Sequence, residues 1–243
     1  MPLPDIFLSI PAGYMQNDDI TGKPVITETA DGSHTLSLPG GQETYHSRYG
    51  AIQESVHVFI RNGLLVTTAS PLSILEVGFG TGLNALLTLQ EAARTGRRIH
   101  YTALERYPVP LEIISRLNYC DLLDVDCEWF RRMHSLPWAG KEQLLTAGFS
   151  LLKIQDDLLT CRLPGKYDLV YFDAFSAAAQ PEMWTTEVFS KTGSAMTPGG
   201  ILVTYAAKGS VRRALQQTGF RVERLPGPPG KREMIRAVWK DDR

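Results

Sequence analysis

Apolar residues alternate along the chain between two spacings. Short runs of branched apolar residues occur at Leu72–Val77, Ile99–Leu104, Ser150–Ile154, Tyr167–Phe172 and Ile201–Tyr205. Runs of this length bounded by turn residues predict parallel strands buried on both faces. Between them, apolar positions three and four apart predict helices over Leu83–Thr95, Leu111–Tyr119, Leu158–Leu163, a stretch near Trp184–Ala195, and Lys208–Thr218. That alternation makes a doubly wound α/β sheet. Phe220–Leu225 and Met234–Trp239, joined by Pro226-Gly227-Pro228-Pro229-Gly230, predict a closing antiparallel hairpin. Near the other end, Val25–Thr29 and His34–Leu38 alternate apolar and polar residues around Asp31-Gly32, a hairpin signal. Ala51–Asn62 reads as a helix with Ile52, Val56, Phe59 and Ile60 on one face and Gly63 beyond its end. Residues 120–147 follow neither period. The pattern therefore divides into a β-rich extension, residues 1–50, and a main domain, residues 51–243.

The first buried run passes into Gly78-Phe79-Gly80-Thr81-Gly82 and then opens a helix, with Glu76 inside the strand end. A strand, a glycine turn and a helix start form the nucleotide-binding corner of such sheets. The spacing is G-x-G-x-G, without the glycine that completes G-x-G-x-x-G. This variant favours S-adenosylmethionine (SAM) over a dinucleotide, because SAM has no pyrophosphate and needs only bare backbone beside its ribose and methionine tail. A plain strand-to-helix turn is the alternative reading of these glycines.

Acids at the following strand ends narrow the choice. Glu105 stands about 20 residues beyond the turn, the offset of a ribose-binding acid. After the third strand, Asp156 or Asp157 suits an adenine amino group while the other caps Leu158–Leu163. Asp173 directly follows the YDLVYF run, where ligands sit outside the carboxyl ends of strands. It precedes the next helix by about ten residues, too far for a cap. Phe175, Met183 and Trp184 in the same loop offer a wall and a stacking surface for a flat base. With the terminal hairpin, these features predict a class I SAM-dependent methyltransferase fold: Rossmann-like, with a mostly parallel seven-stranded sheet.

Composition adds bounds. Of the 243 residues 43% are hydrophobic and 21% charged, ordinary for a soluble globular protein. No run approaches the roughly 20 apolar residues that span a bilayer. Met1-Pro2-Leu3-Pro4-Asp5 lacks a signal-peptide pattern. The odd set Cys120, Cys127 and Cys161 has no C-x-x-C spacing, which argues against a metal knuckle or a disulfide framework. A cytoplasmic protein with no membrane and no metal is expected. The net charge of −1 conceals an asymmetry. Residues 1–60 carry seven acids against two bases, and residues 208–240 nine bases against two acids. Local positive charge of this kind attracts a polyanion such as RNA, or simply makes a solvated surface.

Several segments together carry a family resemblance. Leu75-Glu76-Val77-Gly78-Phe79-Gly80-Thr81-Gly82-Leu83-Asn84, Asp173-Ala174-Phe175 with Pro181-Glu182-Met183-Trp184, Pro198-Gly199-Gly200 with Thr204, Gly230-Lys231-Arg232-Glu233-Met234, and Gly50–Phe59 with Glu54 are the matching stretches. Over roughly residues 45–240 the chain resembles the MnmC-like methyltransferase family. That family makes 5-methylaminomethyl-2-thiouridine at the tRNA wobble position. The resemblance implies SAM as cofactor and the tRNA anticodon stem-loop as partner, with a functional link to the enzymes that make the aminomethyl group. It implies cofactor contacts from Glu54, Glu76, Gly78, Gly80, Thr81, Gly82, Asn84, Glu105, Asp156 and Asp173, and catalysis by Asp173 and Phe175. It places Trp184, Lys208, Lys231 and Arg232 against substrate tRNA. Where the family carries a proline and a lysine, this chain reads Ser176-Ala177-Ala178-Ala179-Gln180-Pro181. At 243 residues there is no room for the family's flavin oxidase half, so the likeness is to the stand-alone form. Competing readings are a polyamine aminopropyltransferase on the same fold, a dinucleotide oxidoreductase, and a non-catalytic SAM- or tRNA-binding module.

Overall fold

The computed structural model describes residues 23–41, 43–138 and 140–240. The first 22 residues of the expected extension, Asp5, Asp18 and Asp19 among them, lie outside the described residues. Strands β1 (Val25–Glu28) and β2 (His34–Ser37) form the hairpin that their alternation predicts. Its turn also serves helix α1 (Ala51–Ser55), which has no side-chain cap of its own. Asp31 accepts the Gln53 N–H at 2.9 Å, and the Ser33 hydroxyl accepts the N–H groups of Ala51 and Ile52. The first-turn donors of α1 are thus satisfied from across the chain. Asp31→Ala should therefore lower stability by about 1–2 kcal/mol, the usual cost of a lost cap. A thermal midpoint equal to wild type would show that hairpin and helix hold independently.

Beyond α1 the helix widens into a π-helix at Val56–Arg61. The wider turn rotates the register. Val58, Phe59 and Ile60 are buried, while Ile52 and Val56, expected on the inner face, are only half-buried. Glu54, on α1, is 5% exposed.

The main sheet is built from β3 (Leu72–Val77), β4 (Ile99–Glu105), β5 (Gln143–Thr146), β6 (Phe149–Gln155), β7 (Tyr167–Phe172), β8 (Met196–Thr204), β9 (Phe220–Pro226) and β10 (Glu233–Trp239). Its order is β5-β6-β4-β3-β7-β8-β10-β9. The strands from β6 through β8 run parallel, and β10 is antiparallel to both β8 and β9. The sheet has eight strands rather than the expected seven. The addition is β5, which folds back antiparallel onto β6 and pairs on one side only. Its brief QLLT pattern is too short to stand out in sequence. The Pro198-Gly199-Gly200 turn lies within β8, where the register against β7 shifts.

Helix α2 (Leu83–Thr95) covers one face of the sheet with α1, and α6 (Thr186–Ser194) with α7 (Gly209–Gln217) covers the other. Alternate residues of β3 divide accordingly: Leu72 and Ile74 join the first core, Leu75 and Val77 the second. Leu36 of β2 belongs to the first core, so the hairpin is packed into it.

Two expected helices are corrected. Leu111–Tyr119 breaks into α3 (Leu111–Ile114) and α4 (Tyr119–Leu123). Asn118 between them is committed to the hairpin, accepting the His34 N–H at 2.9 Å and donating to the Gly32 carbonyl at 2.8 Å. Leu158–Leu163 is no helix but a single turn that Asp157 closes by accepting the Leu159 N–H. Pro164 disfavours helical backbone at Leu163. The stretch without a period holds α5 (Cys127–Ser135). Its C-terminal carbonyls, Met133, His134 and Leu136, all accept from the buried Lys153 ammonium. Burial lowers that ammonium's pKa to about 8.

Candidate active site

The carboxyl ends of β4, β3, β7 and β8, with the chain just beyond β6, line one cleft of about 290 Å³. The glycine turn forms its floor. Gly78 has φ +87°, and a Cβ there would lie 2.6 Å from the Asp173 carbonyl oxygen. Gly80 has φ +52°, and a Cβ would lie 3.0 Å from the Tyr45 ring. Only glycine lets the turn pass between these neighbours.

The cleft brings together Glu54, Gly78, Gly80, Glu105, Asp156, Asp173, Phe175 and Lys231. The Glu105 carboxylate accepts the Gly80 N–H at 3.0 Å through one oxygen and the Tyr107 N–H at 2.8 Å through the other. It is thereby held still, with lone pairs left for a diol. Burial raises its pKa, against these hydrogen bonds. Of the two acids after β6, Asp157 is occupied by Arg106 at 2.8 Å and by its own turn. Asp156 is exposed and engages no side chain beyond the N–H of its neighbour at 2.7 Å.

Asp173 stands at the β7 tip, one oxygen accepting from Asn84 at 2.8 Å. Burial pushes its pKa up to about 7, assisted by the nearby Glu54 charge and opposed by Asn84 and Lys231. Asn84 also donates to Glu76 at 3.0 Å. Glu76 is fully buried, and burial holds its pKa well above the ordinary carboxylate range. Desolvation of this kind favours its protonated form.

Other expected residues lie elsewhere. Glu76, Thr81, Gly82 and Asn84 stand behind the cleft wall. Thr81 accepts from the Tyr119 hydroxyl at 3.1 Å, and a Cβ on Gly82 would lie 2.7 Å from His134. Trp184 is a correction: it is 6% exposed, packs on Phe172, Phe189 and Tyr205, and donates its indole N–H to the Phe175 carbonyl at 2.9 Å. It supports the loop, and the expected stacking surface is left to Phe175 and Met183. Lys208 and Arg232 line an adjoining hollow that shares Ser176, Tyr205 and Lys231 with the cleft. The basic C-terminal stretch is partly neutralised, since Lys231, Arg224 and Arg236 pair with Glu54, Glu233 and Glu223.

Sequence reasoning did not find Tyr45, His46, Glu43 or Tyr205. Tyr45 packs edge-on against Phe175 at 5.1 Å, and Glu43 accepts from Ser176 at 2.7 Å. Tyr205 donates to the Ala174 carbonyl at 2.8 Å. The first three come from the loop after β2, whose only signal was a cluster of polar and aromatic residues after Pro39-Gly40-Gly41. Among the described residues no group of three or more His, Cys, Asp or Glu is placed to hold a metal. None of their helices is long and apolar enough to cross a membrane.

Comparison with known proteins agrees with this geometry. Residues 135–240 match the model of an S-adenosyl-L-methionine-dependent methyltransferase family. The tRNA 5-methylaminomethyl-2-thiouridine biosynthesis bifunctional protein MnmC of Cupriavidus necator is 33% identical over 221 residues, 83% of this chain and 33% of that protein. The chain thus spans about a third of the length of the curated relatives it matches. The crystal structure of MNMC2 from Aquifex aeolicus has 27% identity and a TM-score of 0.70, covering 92% of this chain and 72% of that one. Spermidine synthase from Thermotoga maritima, at 12% identity and a TM-score of 0.53 over 90% of this chain and 72% of that one, shares the fold alone. By its strand order, its matched family model and these relatives, the chain has the class I SAM-dependent methyltransferase fold and is similar to MnmC proteins over about four-fifths of its length.

Proposed function

We propose that the protein transfers a methyl group from SAM to a primary amine, the 5-aminomethyl group of the tRNA wobble uridine. In this reading residues 51–243 form the catalytic domain and residues 1–50 an extension that supplies part of the cleft wall. The observation that carries it is Asp173: a carboxyl with a pKa of about 7, at the β7 tip, in the same cleft as the glycine turn and Glu105. The substrate is taken from the relatives, whose name specifies tRNA 5-methylaminomethyl-2-thiouridine.

The residues present fit the cofactor. The turn at Gly78 and Gly80 is open only because Cβ atoms are missing, and Glu105 is fixed with spare lone pairs. Glu105 would hold the ribose hydroxyls and Asp156 the adenine amino group. Bound there, SAM supplies an electrophilic methyl. An alkylamine is mostly protonated at neutral pH and has no lone pair to offer. Asp173 accepts the proton from the ammonium nitrogen, freeing the pair that forms the new N–C bond as the C–S bond breaks. Asn84 holds one Asp173 oxygen in place and is itself held by Glu76 behind it. The carbonyl oxygen of the now protonated Asp173 then accepts a hydrogen bond from a remaining N–H as positive charge grows on nitrogen. Phe175 offers a π face to the cationic groups. Lys208 and Arg232 would meet tRNA phosphates beside the cleft.

Three further acids, Glu43, Glu54 and Glu182, reach the cleft from outside the Ser176–Gln180 loop, so a polyamine belongs in the test. Incubation with methyl-labelled SAM and tRNA bearing unmethylated 5-aminomethyluridine should place label in that nucleoside, and none in putrescine or spermidine. Label in the polyamine, or in neither acceptor, would overturn the reading.

A further inference from the structure

The cleft is predominantly acidic. Its lining, among the described residues, includes only two side chains that carry positive charge at neutral pH, Arg106 and Lys231. Burial lowers the pKa of His46, which also lines it, to about 4 and keeps it neutral. Arg106 is bound to Asp157 on the β6 side. Lys231 stands on the opposite side, reaching in from the loop between β9 and β10. Its ammonium pairs with Glu54 and lies 3.8 Å from the Tyr205 ring centroid. The Glu54 side chain is 7% exposed and that of Lys231 30%. Glu54 is held from behind by the Ser47 N–H at 2.8 Å.

We infer that the Glu54–Lys231 pair is the receptor for the amino-acid end of SAM, with Glu54 taking the α-ammonium and Lys231 the α-carboxylate. This rests on SAM being the cofactor. Along the sheet the strand ends run β6, β4, β3, β7, β8. With adenine at Asp156 and ribose at Glu105, the tail crosses the glycine turn and points away from Arg106. The group it meets must offer a cation for the carboxylate and an anion for the ammonium. Glu54 and Lys231 offer both, side by side. Head-to-tail binding of a zwitterion replaces one ion pair by two, so neither partly buried charge is left uncompensated. A lone substrate ammonium would satisfy Glu54 and strand Lys231. Lys231 therefore belongs to the cofactor rather than to tRNA, and it selects SAM against its decarboxylated analogue.

Calorimetric binding separates the possibilities, using SAM, decarboxylated SAM (ammonium kept, carboxylate lost) and 5′-methylthioadenosine (no amino-acid end). Wild type should bind SAM in preference to decarboxylated SAM. Lys231→Met should weaken SAM by about 10- to 100-fold, the worth of a charged hydrogen bond, and abolish that preference. Lys231→Arg should retain it. Glu54→Gln should weaken both tailed ligands and leave methylthioadenosine unchanged. A Lys231→Met protein that keeps the preference, or that loses all three ligands equally, would overturn the inference. A wild-type protein that binds none of the three would instead overturn the cofactor reading beneath it.

Discussion

Asp173→Asn is expected to slow methyl transfer by about 10²- to 10⁴-fold, the usual contribution of a positioned general base. SAM binding should survive, because the amide matches the carboxylate in shape and the glycine turn and Glu105 are untouched. The wild-type rate should rise with pH and level off above about 7, as Asp173 ionises. Stability should move the other way. The folded-state pKa of about 7 lies above the ordinary aspartate value of 3.8, so the folded protein holds this proton more tightly than the unfolded chain. The stabilisation is fully present below the unfolded pKa and is lost as pH rises through about 7. At pH 8 the Asn variant should therefore be the more stable protein, by about 1–3 kcal/mol, while being nearly inactive. Near-normal turnover in labelled-SAM assays, or a pH profile unchanged by the substitution, would remove Asp173 from the chemistry.

Gly78→Ala should be the most damaging single methyl group in the site. Two costs add. The backbone at φ +87° is left-handed, worth about 1–2 kcal/mol against any Cβ. The new carbon would also sit 2.6 Å from the Asp173 carbonyl oxygen, which is backbone and cannot swing aside. Asp173 is tied to β3 by its N–H on the Val77 carbonyl at 2.9 Å, so relief requires parting the β3 and β7 tips. Together a loss of about 2–5 kcal/mol is expected, with SAM affinity falling alongside. Gly96→Ala is the control: its φ is +68°, but nothing lies within 4 Å of the added carbon. That variant should lose only the backbone cost, about 1–2 kcal/mol, and bind SAM normally. Equal thermal midpoints for the two variants would show that contact with Asp173 carries no weight.

The comparison of Gly78 with Gly96 also shows what kind of information the chain holds in one dimension. Both glycines are visible in sequence, and the motif distinguished the first. The cost of filling it depends on a carbonyl 95 residues away, which no local pattern contains. The five parallel strands and the helix Leu83–Thr95 were legible because burial on a sheet face and on a helix face imposes its own period. That Glu105, Asp173 and one of Asp156 and Asp157 reach the cleft edge was legible because strand ends in a parallel sheet converge there, so being next after a strand already fixes a place. Residues 111–147 were read poorly for the opposite reason. Their shapes are set by distant partners: Asn118 by the hairpin, α5 by Lys153, β5 by the edge of β6. Trp184 shows the same limit, since exposure is a property of neighbours and not of the residue.

By itself, then, the sequence determined the doubly wound sheet, the glycine turn and the row of acids along its edge, because periodic burial and strand-end position are local quantities. Only the tertiary structure decided the state of the site. It buried Glu76 and raised its pKa, raised that of Asp173 to about 7, and set Lys231 against Glu54 across 177 residues of chain. Desolvation and Coulomb interaction depend on which groups surround a charge in space, and around Asp173 those groups come from α1, the start of α2 and the final loop at once.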